Sequence, residues 1–331
     1  MARISIKNIA QSLGVSNATV SLVLNGKEKE GRIGKEMAEK IRTKAKELQY
    51  EPNNLARSLR VGRSQTIGLI VADISNSFFS NLAFHIQEHA EKFGYTVFIT
   101  NTNEDVVKME EMINILKSRQ VDGFIIVPTE NGCEHIAQLV NLGIPTVLLD
   151  RYYPELNTSH VLIDNYISAQ KASTYLLEQG CRNIALLTYK NTLHHITERT
   201  RGYSEALEKA GIHTPRIIRE VSYSNLEGDV AKAINEIVEC DIDGIFFATN
   251  SICVSAIKSL RESNPDYLKK IKIISFDQSE IFEFLDFPVP YVMQPIPEMG
   301  RKSVEILIEL IEAGNQSEVT TCYMPTKIIY K

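Results

Sequence analysis

Ser5-Ile-Lys-Asn-Ile-Ala-Gln-Ser-Leu-Gly-Val-Ser-Asn-Ala-Thr-Val-Ser-Leu-Val-Leu-Asn25 stands near the start of the 331-residue chain, and its pattern decides how the rest is read. Ile6, Ile9, Ala10 and Leu13 recur at helical spacing and mark one face of a first short helix. Gly14 follows where a left-handed residue ends a helix without steric cost. After Val15, Ser16 is placed to N-cap a second helix from Asn17 to about Leu24. Ala10, Val15, Val20 and Val23 would pack the two helices across the tight turn, and Asn25-Gly26 stops the second. A third amphipathic helix is expected from about Lys35 to Gln49, with Met37, Ala38, Ile41, Ala45 and Leu48 inward. Two short helices across a four-residue turn, braced by a third, match a helix-turn-helix module, against the plainer alternative of a generic small helical bundle.

Charge distribution adds a second observation. The net charge of −5 averages two unlike parts: through Arg63 there are 13 Lys and Arg against 6 Asp and Glu, a balance of +7, leaving −12 on the remainder. A basic head on an acidic body suggests that one end meets a polyanion, although residues 35 to 47 mix both signs as a solvated helix would. Hydrophobic residues at 44%, charged residues at 23% and no Trp describe an ordinary globular composition of two or three folding units. No apolar run reaches the ~18 residues of a membrane span, and the first residues lack a signal-peptide core. Cys133, Cys181, Cys240, Cys253 and Cys322 are odd in number and form no C-x-x-C pair, so reduced thiols in a cytoplasmic protein are expected, with no disulfide frame and no metal site.

Ile9-Ala-Gln-Ser-Leu-Gly-Val-Ser-Asn-Ala-Thr-Val-Ser-Leu-Val-Leu-Asn-Gly26, Tyr50-Glu-Pro-Asn-Asn-Leu-Ala-Arg-Ser-Leu-Arg60 and Ile67-Gly-Leu-Ile-Val71 together resemble the lactose-repressor/galactose-repressor (LacI/GalR) family of bacterial transcription regulators. The chemistry of a recognition helix in the major groove then assigns roles. Asn17 can pair bidentately with adenine, while Ala18 and Leu22 offer apolar contact to thymine methyls. Ser16, Thr19, Ser21 and Asn25 suit phosphate. Many relatives carry a larger polar residue at Leu22, so the operator half-site need not match theirs. The loop Lys27-Glu-Lys-Glu-Gly-Arg32 is slightly long for the family and receives no role.

Residues 51–65 follow as a linker. A helix of about eight residues there is shorter than the ~12–15 that are marginal alone in water, so it needs DNA or a partner subunit for support. The resemblance implies a hinge helix formed on the operator, with Asn53, Ala56, Arg57, Leu59 and Arg60 facing DNA. Leu59 would wedge into a minor-groove step, and Arg57 or Arg60 would meet phosphates. A basic interdomain linker is the plainer alternative.

From Thr66 onward, apolar β-branched runs alternate with amphipathic stretches. Ile67–Ala72, Thr96–Thr100, Gly123–Val127 and Thr146–Leu149 read as buried parallel strands, separated by helices near Asn81–Phe93, Val106–Arg119 and Glu134–Leu142. The pattern restarts with strands Ile184–Thr188, Ile217–Val221, Gly244–Ala248 and Ile271–Phe276 and helices Arg199–Ala210, Leu226–Glu239 and Ile252–Arg261. The fold class expected is a small all-α helix-turn-helix head plus an α/β body of two doubly wound parallel-sheet lobes. No G-x-G-x-x-G, phosphate loop or G-x-S-x-G occurs, and His194-His195 reads as surface loop.

Ligands of open α/β sheets bind beyond the carboxyl ends of the strands. Asp73, Asn76, Phe78 and Phe79 follow the first strand, Asp150 and Arg151 follow Leu149, Asn250 follows Ala248, Asp277 follows Phe276, and Gln294 follows a strand Val289–Met293. Arg199 is placed at the start of a helix beside them. Carboxylates, amides and a guanidinium can fork onto vicinal hydroxyls while aromatic faces cover a sugar's C–H side, although each residue singly could be a strand-end cap. Residues 66–331 resemble the type I periplasmic-binding-protein-like body of these repressors, with Asn76-x-Phe78-Phe79 and Asp150-Arg151 most like ribose-type binders. Ser251 departs from the Asp usual there. The expected domains are 1–50, 51–65 and 66–331, with a first lobe of about 66–163 and 294–319 and a second of about 164–293 and 320–331.

The resemblance implies a homodimeric, non-enzymatic transcription regulator, usually a repressor, with no cofactor, acting on a near-palindromic double-stranded operator under control of a small sugar-like effector. A periplasmic solute-binding protein would share the body but not the head. A sugar enzyme would need an activated nucleophile, metal cluster or phosphate loop. No leucine heptads mark Thr320–Lys331, so a tail-made tetramer is not expected.

Overall fold

The computed structural model describes residues 4–50, 62–314 and 318–330. The chain divides into two compact units, Met1–Ser64 and Gln65–Lys331.

In the first unit, α1 (Ile6–Leu13) begins at Ser5, whose amide and hydroxyl both donate to Asn8 Oδ1, at 2.9 and 2.7 Å. It ends at Gly14, where φ is 65° and no atom lies within 4 Å of a hypothetical Cβ. Backbone handedness, not crowding, therefore favours glycine there. α2 (Asn17–Leu24) starts at Ser16, whose Oγ accepts from Thr19 N at 3.1 Å. α3 (Lys35–Glu47) stops two residues before the expected Gln49, because Gln49 turns left-handed at φ 49° and Tyr50 N bonds back to Ala45 O at 2.8 Å. Ile9, Ala10, Val20, Val23, Ala38, Ile41 and Ala45 form one buried cluster beneath the three helices. The loop before α3 is folded down by Arg42, which donates to Glu28 Oε1 at 2.7 Å, and by Ile33 N on Glu28 O at 2.9 Å.

The second unit begins with β1 (Thr66–Val71), α4 (Ser77–Lys92), β2 (Thr96–Asn101), α5 (Val106–Ser118), β3 (Gly123–Ile126), α6 (Cys133–Asn141), β4 (Thr146–Leu149) and β5 (Ser159–Ile163). A second series follows: α7 (Asn165–Glu178), β6 (Ile184–Tyr189), α8 (His194–Lys209), β7 (Ile217–Val221), α9 (Leu226–Glu239), β8 (Gly244–Phe247), α10 (Asn250–Ser263), α11 (Pro265–Lys270), β9 (Lys272–Phe276) and β10 (Tyr291–Met293). α12 (Ile296–Ala313) packs on α4 in the first lobe, and β11 (Thr321–Met324) and β12 (Lys327–Ile329) end the fold.

The sheets run β11-β5-β4-β3-β1-β2 and β12-β10-β9-β8-β6-β7. Their pairings are parallel except β10 with β12. β1, β3, β4, β5, β6 and β8 are buried on both faces, which explains their continuous apolar runs, whereas β2, expected to be buried, is an edge strand and largely exposed. Ile67, Leu69 and Val71 join the core under α4 and α12, whereas Ile70, Phe124, Ile126 and Leu148 join the core under α5 and α6. Between α7 and α8, Gly202 is required by close approach, since a Cβ there would stand 2.3 Å from Tyr166 O.

Three expectations are corrected. Segment 320–331 does not belong wholly to the second lobe, because β11 pairs with β5 in the first-lobe sheet and the chain crosses only after Met324. α8 begins at His194, five residues before Arg199: buried Leu193 anchors the helix start in the first-lobe core, and its carbonyl accepts from Ile196 N and Thr197 N. His194-His195 is therefore helical, and His195 is buried. α4 begins at Ser77 instead of Asn81, because Asn76 Oδ1 accepts from Phe78 N at 2.9 Å and caps it.

Candidate functional site

In the head, Ser16, Asn17, Ala18 and Asn25 are exposed, and Thr19, Ser21 and Leu22 are half-buried. Ser16 and Thr19 hydroxyls lie 2.9 Å apart, and Asn25 Nδ2 donates to Ser21 O at 2.6 Å, so these short polar groups are already ordered. Leu22 is not wholly free: its Cδ1 lies 2.6 Å from where a Gly31 Cβ would stand, so the long loop covers part of it. The positions Asn53, Ala56, Arg57, Leu59 and Arg60 lie outside the described residues.

In the body, the carboxyl ends of β1, β4, β8 and β9 and helix α8 bring Asp73, Asn76, Phe78, Phe79, Asp150, Arg151, Arg199, Asn250 and Asp277 to one interlobe cleft. Each side chain is held. Asp73 Oδ1 accepts from Ser75 N and Oγ at 2.9 and 2.7 Å. Asn76 Nδ2 crosses the cleft to Ser251 Oγ at 2.9 Å, and Phe78 meets Phe79 edge-on at 5.0 Å. Arg151 is forked onto Glu104 by two 2.8 Å bonds and donates to Pro128 O at 3.1 Å. Arg199 lies 3.5 Å over the Phe276 ring, with Nε on Asn165 Oδ1 at 2.8 Å and a second nitrogen on Ala248 O at 2.7 Å. Asn250 Nδ2 donates to Gln278 O at 2.9 Å. Gln294 does not line the cleft; it stands behind Asp277, donating to Asp277 Oδ1 at 2.7 Å.

Burial dominates the electrostatics. It pushes the Asp277 carboxyl up to about 6 against the pull of Arg199 and the Gln294 bond. It also raises Asp150 despite Arg151 and Arg199. Burial first, then Arg151 and Arg199, hold His195 well below the ordinary imidazole value, so its ring is neutral. Two buried acids beside the Arg151 and Arg199 guanidiniums, with amides and two phenyl rings, form a surface for a hydroxyl-rich ligand.

Glu104, Tyr189, His195, Tyr223 and Thr249 also line the cleft and were not among the sequence candidates. Glu104, Tyr189 and Tyr223 stand at the carboxyl ends of β2, β6 and β7, so the strand-end rule that found the others would have found them too. Burial first, then Asp73 across the lobes, raises the Tyr223 phenol.

Residues 5–53 match the profile of bacterial regulatory proteins of the lacI family, and residues 64–327 match that of periplasmic binding proteins and the sugar-binding domain of the LacI family. The chain belongs to the LacI family. It is thus a DNA-binding transcriptional regulator with a sugar-binding domain, and not an enzyme. The ribose operon repressor of Halalkalibacterium halodurans is 32% identical to this LacI-family chain over 99% of it and 96% of that protein. A LacI family transcriptional regulator from Enterococcus faecium with bound ribose superposes with a TM-score of 0.71 at 25% identity, covering 80% of this chain and 96% of that one. A periplasmic binding protein/LacI transcriptional regulator from Alkaliphilus metalliredigens complexed with D-xylulofuranose gives 0.69 at 26%, covering 80% and 97%. The head match sets the chain apart from a solute-binding protein with the same body. Among the described residues no cluster of His, Cys, Asp or Glu could hold a metal, and no helix is long and apolar enough to cross a membrane.

Proposed function

We propose that this chain is a cytoplasmic, homodimeric repressor of a near-palindromic operator, released or engaged by a five-carbon sugar bound between its lobes. The observation that carries the effector reading is the convergence of Asp150, Arg199, Asn250, Asp277 and the Phe78–Phe79 pair, from both lobes, on one cleft. The relatives solved with ribose and with D-xylulofuranose support a pentose of that size. Asp150 and Asp277 would accept from ring hydroxyls, Arg199 and Asn250 would donate, and Phe78 and Phe79 would cover the C–H face; Arg151 would position Asp150, and Gln294 would position Asp277.

The side chains leave about 40 Å³ between them. This is room for a few waters at about 10–15 Å³ each, so a pentose enters only when the lobes part and the Asn76–Ser251 bond opens. A sugar that favours one lobe arrangement shifts operator affinity by its difference in affinity for the two.

For the dimer, the first lobe offers Phe84, Phe98, Val107 and Ile115 as exposed large apolar side chains on α4, β2 and α5, a surface suited to a second copy. Two heads then read two half-sites. Asn17, Ala18 and Leu22 are assigned to base edges, Ser16, Thr19, Ser21 and Asn25 to phosphates, Leu59 to the minor groove and Arg57 or Arg60 to its flanking phosphates.

The test is calorimetric titration of the full chain with D-ribose, D-xylulose and D-xylose, followed by operator retention on DNA selected from a random pool. Binding of one pentose that is lost in Asp277→Ala and that alters DNA retention supports the assignment. Absence of heat from all three sugars refutes the pentose, and salt-insensitive DNA binding refutes the phosphate contacts.

A further inference from the structure

A second chamber of about 220 Å³ adjoins the cleft and shares Asp150, Arg151 and His195 with it as a common wall. It too spans both lobes: Tyr152 and Tyr323 come from the first, His194, Glu198 and Arg201 from the second. The Tyr152 ring is fixed by stacking on His160 at 4.8 Å and by an edge contact with His194 at 4.9 Å. Tyr323 stands 55% exposed at the mouth.

The two guanidiniums here are already matched. Arg201 binds both oxygens of Glu198, at 3.0 and 2.6 Å, and Arg151 is forked onto Glu104. Asp150 has Arg151 Nε at 3.4 Å, and Asp164 Oδ1 accepts from Ile167 N at 2.8 Å, so the chamber offers hydroxyls, carboxylate oxygens and an imidazole with both of its guanidiniums engaged, which suits a neutral ligand carrying several hydroxyls. Aromatic walls suit its C–H faces. Two buried polar atoms of its lining have no hydrogen-bond partner among the described residues: Arg151 Nε, which has the Asp150 carboxylate at 3.4 Å, and Nδ1 of His195, which is 5% exposed and has no such counter-charge. A buried ring nitrogen of that kind calls for a partner.

We propose that this chamber is a second ligand site, taking a small uncharged polyol such as a monosaccharide or sugar alcohol, with one hydroxyl on His195 Nδ1. Because its walls belong to both lobes, an occupant biases the same lobe equilibrium as a cleft ligand, and the two ligands alter each other's affinity reciprocally. The proposal does not depend on the cleft ligand being a pentose.

The chain contains no Trp, so Tyr323→Trp places a lone fluorescent reporter at the mouth, on an exposed strand position that tolerates it. The full-length variant is titrated with D-ribose, D-glucose, ribitol and myo-inositol. At least one probe is expected to give a saturable emission change. Its midpoint should be raised at least about tenfold when Glu198→Gln is added, and by less when Asn76→Ala is added instead to impair the cleft, since that change reaches the chamber only through the lobe equilibrium. Circular dichroism and the melting temperature establish that each variant is folded. The proposal is overturned if no probe changes the emission up to its solubility limit. It is equally overturned if the midpoint moves with Asn76→Ala and not with Glu198→Gln, since the reporter would then be following the cleft alone. Cleft binding seen by calorimetry with a silent reporter refutes the second site and leaves the cleft assignment standing.

Discussion

In the first lobe Asp150 ends β4 with φ 66°, and its amide donates to Val161 O at 3.0 Å; in the second, Asp277 ends β9 with φ 68°, and its amide donates to Val292 O at 3.0 Å. The same left-handed turn thus leaves the same strand of each sheet and aims one carboxylate at the cleft from each side. Asp is among the few non-glycine residues that accept this conformation. The surroundings of the two acids differ. Asp150 has Arg151 directly beside it in sequence, 3.4 Å from Nε to Oδ2, while Asp277 accepts from the neutral Gln294 amide at 2.7 Å. The guanidinium that acts on both acids, Arg199, belongs to the second lobe. The backbone was built twice, but the charge that couples the lobes was supplied once.

The largest expected effect comes from removing that shared charge. Arg199→Ala leaves Asp277 buried without a guanidinium and Asp150 with Arg151 alone, and a loss of about 3–5 kcal/mol in urea unfolding is expected, with sugar binding abolished. Adding Asp277→Asn to that variant should recover part of the loss. If the double variant is no more stable than Arg199→Ala, the acids are not coupled through Arg199.

The outer edges sharpen the comparison next. β2 exposes Phe98 and Ile99 at 41% and 39%, whereas no large apolar residue of β7 is exposed to that degree. Phe98→Lys is expected to raise the dissociation constant of the proposed dimer by about a hundredfold or more in sedimentation, as removal of an interface aromatic would, while Glu220→Lys on β7 leaves it unchanged. A dimer indifferent to Phe98→Lys would remove the first-lobe face from the interface.

A pH effect follows from Asp277. Its folded value of about 6 exceeds the ordinary 3.8, so the folded chain holds the proton more tightly than the unfolded one. Its contribution favours folding at low pH and is lost as pH rises from about 4 through 6, by at most about 3 kcal/mol. Denaturation of Asp277→Asn and of the parent across pH 4–7 should therefore diverge in favour of the variant as pH rises; parallel curves would show that Asp277 is already ionised at pH 4.

The smallest effect is expected at Asn76→Ala, which deletes a helix cap and a cross-cleft bond to Ser251. It should cost about 1 kcal/mol in urea unfolding and leave the melting transition cooperative.

Much of this site was legible along the chain because open sheets place ligand groups at strand ends, and nine of the ten cleft candidates line the cleft. Gln294, the tenth, lies one bond behind because β10 carries it past the end of β9, to brace Asp277. His195 was misread because a hydrophilic His194-His195 pair looks like loop until Leu193 is known to be buried. Glu104 was open to the same strand-end rule, but its role, a double bond to Arg151 47 residues away in sequence, was visible only in the folded chain. The expected assignment of 320–331 failed because β11 and β12 are short, and nothing in their residues says which of two similar sheet edges each will join.

The sequence by itself determined the head, whose caps and apolar spacing act within a few residues, and the alternation of buried strands and helices that makes two doubly wound lobes. It also determined the family. The tertiary structure alone decided which charges meet. It joined Arg199 to acids from both lobes, set Asn76 on Ser251, and left His195 Nδ1 in the wall between two chambers. Local propensity and periodicity specify elements, whereas desolvation and pairing of buried polar groups depend on distances that only the packed chain fixes.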